Sequence, residues 1–436
     1  MHPGYHNRLI RAFALLVTCG LSFASATAQE HVHPVAPDGL AVARESSGTS
    51  WVPDATPMFG WHRNALGWDV MLHGNAFGQL LLESGAEHHG ATQAGSINWM
   101  MGTASRQARG GRLSLRSMLS LEPWTIRGCG YPNLLATGEV CNGDTIHDRQ
   151  HPHELFMEMA AAYDRPLRGT LRWQVYGGAA GEPALGPPAF PHRLSSLPNP
   201  LSPITHHWLD ASHISFGVVT AGIYNARWKV EASLFNGREP DDDRTGFDVG
   251  PLDSFSARVS LATSSHLVLQ ASAGHLEEAE AGVGRQPRTD VNRLTASAVY
   301  RHNTTPDLVW TTTLAYGLNA KLAIIPGALL DERTHAALLE TSAMLRDRHT
   351  VFGRIEVSGK PAHDLHAHEF PTEVFGVGKL VAGYTRHLRP WKGVLPGIGA
   401  AGMLSVVPSL LAPRYEGRVA PGVAIFATVR PMPHRM

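Results

Sequence analysis

Little of this chain is charged, and almost none of it is cysteine. Of 436 residues only 17% are Asp, Glu, Lys or Arg, and 37 basic side chains balance 37 acidic ones. With no basic patch, that balance excludes a nucleic-acid footprint. There are three cysteines. Cys19 sits in an N-terminal stretch that reads as cleaved, so Cys129 and Cys141 remain, both in one predicted loop. In an oxidising compartment this pair predicts a disulfide closing a small loop, with two metal-binding thiols as the alternative. After the N-terminal stretch no apolar run reaches the ~18 residues that a membrane-spanning helix needs. No G-x-S-x-G elbow, phosphate loop or dinucleotide fingerprint is present. Ser264-Ser265-His266 alone keeps a lipid-acting outer-membrane enzyme in view, and the chain is read as a non-enzyme.

What the chain does have begins with an export signal. Arg8 and Arg11 form a positive start, Ala12 to Ala24 is an apolar core, and Ala26-Thr27-Ala28 fits an A-x-A cleavage site. Residues 1–28 are therefore read as a signal peptide and 29–65, which lack periodicity, as an N-terminal periplasmic arm. An exported chain without a second hydrophobic helix is periplasmic, secreted or an outer-membrane barrel.

From residue 66 to 436 one rhythm decides between these. Alternating segments are separated by connections that are long and short in turn. Strands are expected near 69–82, 97–104, 113–121, 155–163, 171–178, 214–223, 228–235, 255–262, 267–273, 294–301, 308–316, 336–345, 351–357, 374–384, 398–406 and 423–429. Leu113, Leu115, Ser117, Leu119 and Leu121 alternate with Ser114, Arg116, Met118 and Ser120, an apolar face for lipid and a mostly polar one for a lumen. The pattern predicts an all-β protein: a single antiparallel transmembrane β-barrel of 14 to 16 strands in the outer membrane of a Gram-negative bacterium. Short turns are then periplasmic and long loops extracellular. An open sheet edge cannot sit in lipid, so the barrel closes with an even strand count and periplasmic termini. Trp68, Trp99, Tyr163, Trp173, Trp228, Trp310, Tyr316 and Tyr384 fall near predicted strand ends, as an interfacial girdle requires. Phe426 stands in for the terminal aromatic that closes many barrels. No N-terminal plug domain is evident, which argues against a large energised transporter.

The chain holds 25 His. The densest run is His147-Asp148-Arg149-Gln150-His151-Pro152-His153-Glu154. His88-His89, the pair His206 and His207, and His363, His366 and His368 lie in other long loops, with His31 and His33 on the arm. Neutral imidazole suits Zn, Cu, Ni and Fe. The candidate metal set is His147, Asp148, His151, His153, His206, His207, His363, His366 and His368. His147, His151 and His153 could form a three-ligand face, and Asp148 or Glu154 could ligate or orient a ring. No cofactor is obligatory, and copper and zinc are the first candidates by ligand type. The alternative is that these rings are structural, with Asp148 and Arg149 paired at strand ends. Two further loops stand out. The Pro-rich segment 182–210 is long and apolar, and covers itself either by folding into the lumen or by capping the mouth. Asp241, Asp242 and Asp243 are either carboxylate ligands for calcium or, more simply, a solvated acidic loop.

Several of these segments resemble an uncharacterised family of Gram-negative outer-membrane β-barrel proteins carrying a D-R-Q-H-P-H-[DE] motif. Here the motif is Asp148 to Glu154, with Glu154 at the variable end. Gly181-Glu182-Pro183-Ala184-Leu185-Gly186-Pro187, His206-His207, Phe216 to Gly222 and Phe235-Asn236-Gly237-Arg238-Glu239-Pro240 extend the likeness over roughly 95–275. The resemblance implies a barrel and carries no activity. The expected function is a porin-like barrel whose His-rich loops bind or pass divalent metal ions. Its partners would be outer-membrane lipid and metal ions, with a homo-oligomer, plausibly a trimer, compatible with its size. A passive or plugged barrel with structural histidines is the second reading.

Overall fold

The computed structural model describes residues 44–86, 89–280, 288–302, 304–305, 307–325 and 328–434. The signal peptide, His31, His33 and His88 lie outside the described residues.

Sixteen antiparallel strands close into one barrel. They are β2 (Trp68–Glu83), β3 (Ala91–Ala108), β4 (Gly111–Leu119), β7 (Phe156–Arg168), β8 (Leu171–Gly181), β9 (Ser215–Tyr224), β10 (Trp228–Phe235), β11 (Ser254–Ser264), β12 (Leu267–Glu280), β13 (Thr289–Arg301), β14 (Leu308–Ile325), β15 (Ala328–Leu345), β16 (His349–Pro361), β17 (Val374–His387), β18 (Val394–Val406) and β19 (Val419–Pro431). Each pairs with the next, and β19 closes on β2 from Gly422↔Glu83 to Val429↔Ala76. A short strand β1 (Met58–Ala65) pairs with the first half of β2, and a two-residue strand β20 (Pro433–His434) extends the same seam.

The period-2 pattern dictates which side chains meet lipid. In β10, Lys229 (0% exposed), Glu231 (3%) and Ser233 (4%) point inward, while Val230 (44%) and Leu234 (55%) point out. The outer surface continues as Val259, Leu294, Leu314, Val351, Ile355, Ile398 and Ile425, all exposed. Apolar groups ringed around a closed barrel are stable only against lipid. In β7 the alternation slips at a bulge facing Met118 and Leu119. Met159 stays on the outer face, but Met157, expected beside it, is buried.

The turns at one end are tight. Arg109 and Gly110, both at positive φ (50° and 77°), close β3–β4, the backbone that a two-residue hairpin requires. The long connections are at the other end. Here the structure exceeds expectation. Residues 120–155 contain a hairpin, β5 (Tyr131–Cys141) and β6 (Asp144–Gln150), stapled by the Cys129–Cys141 disulfide. It reaches into the barrel, where Lys379 Nζ holds Asn133 Oδ1 (2.9 Å) and the Leu134 carbonyl (3.1 Å).

The Pro-rich segment folds inward. Its backbone is held in turn by side chains around the wall: Ala184 N by Ser233, Gly186 N by Ser272, and the Leu194 carbonyl by Ser342. The Leu197 carbonyl is held by Asn75, those of Leu201 and Ser202 by Arg354, and that of Ile204 by Lys360. This is a plug, built from a loop. Buried polar groups need partners, and the inward-facing charged and hydroxyl side chains supply them. At the centre Arg193, fully buried, donates to Glu340 Oε1 (2.6 Å), Asp210 Oδ2 (2.6 Å) and the Pro188 carbonyl (2.9 Å).

The segment read as a periplasmic arm does not lie free. Of its described part, 44–65, residues 58–65 form strand β1 against β2 and 44–57 runs inside the barrel: Thr49 accepts from Lys229 and Arg258, and Glu45 from Arg116 and Gln174. The buried wall charges Lys229, Arg258 and Arg116 need these acceptors, which is why the segment is drawn in. Two aromatic assignments also change. Trp99 faces the lumen, because β3 starts at Ala91 and places it in mid-strand. Phe426 also faces inward, its ring 5.5 Å from Phe77.

Candidate metal centres and their setting

The candidate residues separate into three places. At the mouth, His147 on β6 stacks on His366, ring centroids 3.8 Å apart, and His368 lies 5.4 Å beyond. His89 Nδ1 is 2.5 Å from Asp148 Oδ2. Asp148 is also held by Leu135 N (2.6 Å) and the Tyr415 hydroxyl. The donor atoms of His89, His147 and Asp148 all lie within 4.8 Å of one another. Burial first, then neighbouring His366, pushes His147 below the usual imidazole range, toward the neutral ligand form.

The second place is inside the plug. His151 and His153 follow the end of β6 and leave His147 behind. Asp148 takes a positive φ (52°) and the strand ends at Gln150, so the expected face of His147, His151 and His153 does not form. Instead His151 sits 6.1 Å from both His206 and His207, and His153 sits 5.5 Å from His213. His206 is 5.4 Å from His207 and 5.2 Å from His213. Four of the five rings are hydrogen-bonded through Nδ1. His153 bonds Glu122 (2.9 Å), His206 bonds Asp210 (2.9 Å), and His213 bonds the Asp210 carbonyl (2.7 Å). His151 bonds the Pro152 carbonyl (3.2 Å), and His207 faces Glu239 (3.3 Å). The Nε2 atoms of His207 and His213 are buried without a hydrogen bond, while that of His151 faces Glu139 Oε1 at 3.1 Å.

Burial, the largest cause, lowers the pKa of His151, His206 and His213 and takes His207 down to about 4. The carboxylates shift the other way: burial lifts Glu139 and pushes Glu154 and Glu239 up to about 8, with Arg244 opposing at the first two. Asp210 is the exception. Burial, the largest cause, raises it, but the Arg193 guanidinium together with His206 and His213 outweighs this and holds it well below the carboxylate range.

The third place is occupied by His363 alone. It turns to Asp364 (3.2 Å) and Glu332 (4.0 Å), away from His366 and His368. Asp241 and Asp243 do not converge as calcium ligands. Asp241 accepts the Asp243 amide, Asp243 accepts its own Thr245, and Asp242 accepts the Asn142 amide, the bonds of a turn-rich acidic loop. Near the β11–β12 turn the His266 ring bonds the Arg301 carbonyl (2.9 Å), and Ser264 accepts the His266 amide, so no Ser/His dyad forms there.

The fold and its apolar outer face define an outer-membrane β-barrel of the porin type, filled by its own loop. No family model matches the sequence, and no curated protein matches it either. Solved structures do match. Salmonella typhi OmpF in complex with daunomycin aligns over 85% of this chain and 100% of its own at 8% identity and a TM-score of 0.50. The anion-selective porin from Comamonas acidovorans covers 83% of this chain and 99% of its own, at 10% identity and TM-score 0.48. The DcaP outer-membrane channel of Acinetobacter baumannii covers 86% of this chain and 100% of its own, at 8% identity and TM-score 0.46. At such identities the likeness speaks of fold alone, and the OmpF match carries it.

Proposed function

We propose that this chain is a non-catalytic, porin-like barrel that binds divalent metal ions at its histidine-rich mouth and passes them through its plug. His89, His147 and Asp148, with His366 and His368 alongside, form the outer station. His151, His153, His206, His207 and His213 form the inner one. The observation that carries the reading is the anchoring of four of the five inner rings through Nδ1 hydrogen bonds, with His207 Nδ1 facing Glu239. Ligating histidines are oriented in this way, leaving Nε2 for the ion. Two imidazoles sharing a tetrahedral ion at a Zn–N length of about 2.0–2.1 Å have ring centroids about 5 Å apart, and three neighbouring pairs here stand at 5.2, 5.4 and 5.5 Å. No three donor atoms of the described inner rings lie within 4.8 Å of one another, so an inner ion is shared by rings in pairs. Imidazole with carboxylate suits zinc or copper(II). Export through residues 1–28 and barrel assembly from residue 66 complete the proposal.

The same Nδ1 contacts favour a second reading, in which the rings only cement the plug. Zinc and copper(II) binding to the refolded barrel, measured by metal analysis after dialysis, separates the two. The triple variant His147→Ala, His151→Ala, His153→Ala loses bound metal while keeping its β-sheet circular dichroism if the rings are ligands. Unchanged metal content, or loss of the fold, leaves the structural role.

A further inference from the structure

The mouth and plug stations use nitrogen and oxygen donors. A different donor set lines a cavity of about 540 Å³ in the half of the lumen nearest the short turns. Its walls are β1 to β4, the inserted segment 44–57 and the underside of the plug. His73 and His192 face each other across it, ring centroids 5.6 Å apart, with Trp99 packed against both at 5.3 and 4.9 Å. His192 Nε2 is 3.3 Å from Sδ of Met118, a buried residue that stands behind the cavity lining. His73 Nε2 is buried with no hydrogen-bond partner. Met71 and Met101 line the same space.

Charges of both signs line the cavity: Arg63, Arg112 and Arg116 with Glu45 and Asp69. Arg116 pairs with Glu45 (3.0 Å) and lies 3.8 Å from Glu158, and Arg112 pairs with Asp164 (2.9 Å), so both of these guanidiniums face carboxylates. Trp99, Met71 and Met101 give the cavity an apolar wall beside the two histidines. Thioether sulfur with imidazole is a soft donor set, which selects copper(I) over zinc or magnesium. Silver(I) shares the charge and softness of copper(I).

We propose that this cavity is a binding site for a soft monovalent metal cation, held by His73, His192 and the Met118 thioether. Met71 and Met101 line its approach. The site stands on its own geometry and does not require the plug histidines to bind metal. It differs from them in the class of ion it takes.

Silver nitrate is the probe, since it needs no reductant. The full chain, purified in detergent in chloride-free buffer, is dialysed against silver and its metal content measured, with and without tenfold excess zinc. The expected result is one silver ion per chain that zinc does not displace, with sulfur scatterers in its X-ray absorption spectrum. Met118→Leu, which keeps the side-chain volume, and His73→Gln each weaken binding at least tenfold. The triple variant at His147, His151 and His153 leaves it unchanged, so failure here and failure of the plug site are distinguishable. Silver displaced by zinc, a spectrum with nitrogen scatterers alone, or binding indifferent to both Met118→Leu and His73→Gln would overturn the proposal. The spectrum is read on the unaltered chain and holds even if a variant misfolds.

Discussion

Arg193 is the pin of the plug. Its fully buried guanidinium binds Glu340, Asp210 and the Pro188 carbonyl, tying the loop to strand β15 and to its own far end. Arg193→Met keeps an unbranched chain of similar reach but strands two buried carboxylates. Removing one partner of a buried ion pair costs about 3–5 kcal/mol. At 1.4 kcal/mol per decade the ratio of docked to released plug falls roughly 100- to 3,000-fold. The barrel itself, held by its strand ladder, remains. In a planar bilayer, Arg193→Met should turn a rarely conducting protein into one with frequent large openings. Glu340→Gln on that background removes one stranded charge and should recover part of the closure. A variant that folds and conducts no more than the unaltered chain would refute the account of Arg193 as the pin.

Three further expectations follow from the same geometry. Docked, the plug histidines have lowered pKa values, with His207 near 4; released, they return to about 6.5. Protons taken up by the released imidazoles weaken docking as pH falls from 6.5 toward 4, and His207 alone contributes about 2 kcal/mol of weakening at pH 5. Glu154 and Glu239, held near 8 when docked, work in the opposite direction down to about pH 4.5. His207→Gln, which removes only the imidazole contribution, should therefore lower the ratio of conductance at pH 5 to that at pH 7, and an unchanged ratio would contradict this. Reducing the Cys129–Cys141 bond, which closes a loop with a sequence separation of 12, removes a constraint worth about 3 kcal/mol and should make the β5–β6 hairpin the first site cut by an added protease. Lys379→Ala should lower the thermal stability of the plug, because Glu83, 2.8 Å away and buried, loses its cation.

All sixteen expected strands exist, because lipid on one side and a polar lumen on the other write period 2 into each. Their outer ends were less legible. The strand expected over 308–316 is Leu308–Ile325, and past the membrane its outward face no longer needs to be apolar, so alternation fades while hydrogen bonding continues. The β5–β6 hairpin did carry a local signal that went unread. Asn142-Gly143, both at positive φ (53° and 81°), is the Asn-Gly turn that joins paired strands. The site was half legible. His147, Asp148, His151, His153, His206, His207, His366 and His368 do meet other imidazoles, yet the sequence could not say that His147 parts from His151. His213, His192 and His73 were missed as partners, since only the plug's path across the lumen brings them near; His89, one of the loop histidines, was left outside the candidate set and meets His147 and Asp148 through the β5–β6 hairpin. The inward fold of the plug was one of two open alternatives. It is decided by wall residues such as Arg354 and Lys360, whose partners lie some 150 residues away in sequence.

The central claim is that a plugged barrel handles metal through its own histidines. Its most direct test is conductance of the refolded chain in a planar bilayer during titration with zinc and copper(II). The account predicts low resting conductance and a saturable response to low-micromolar metal that disappears when His147, His151 and His153 are replaced by Ala. Large steady openings indifferent to metal, or a response that survives those replacements, would contradict it.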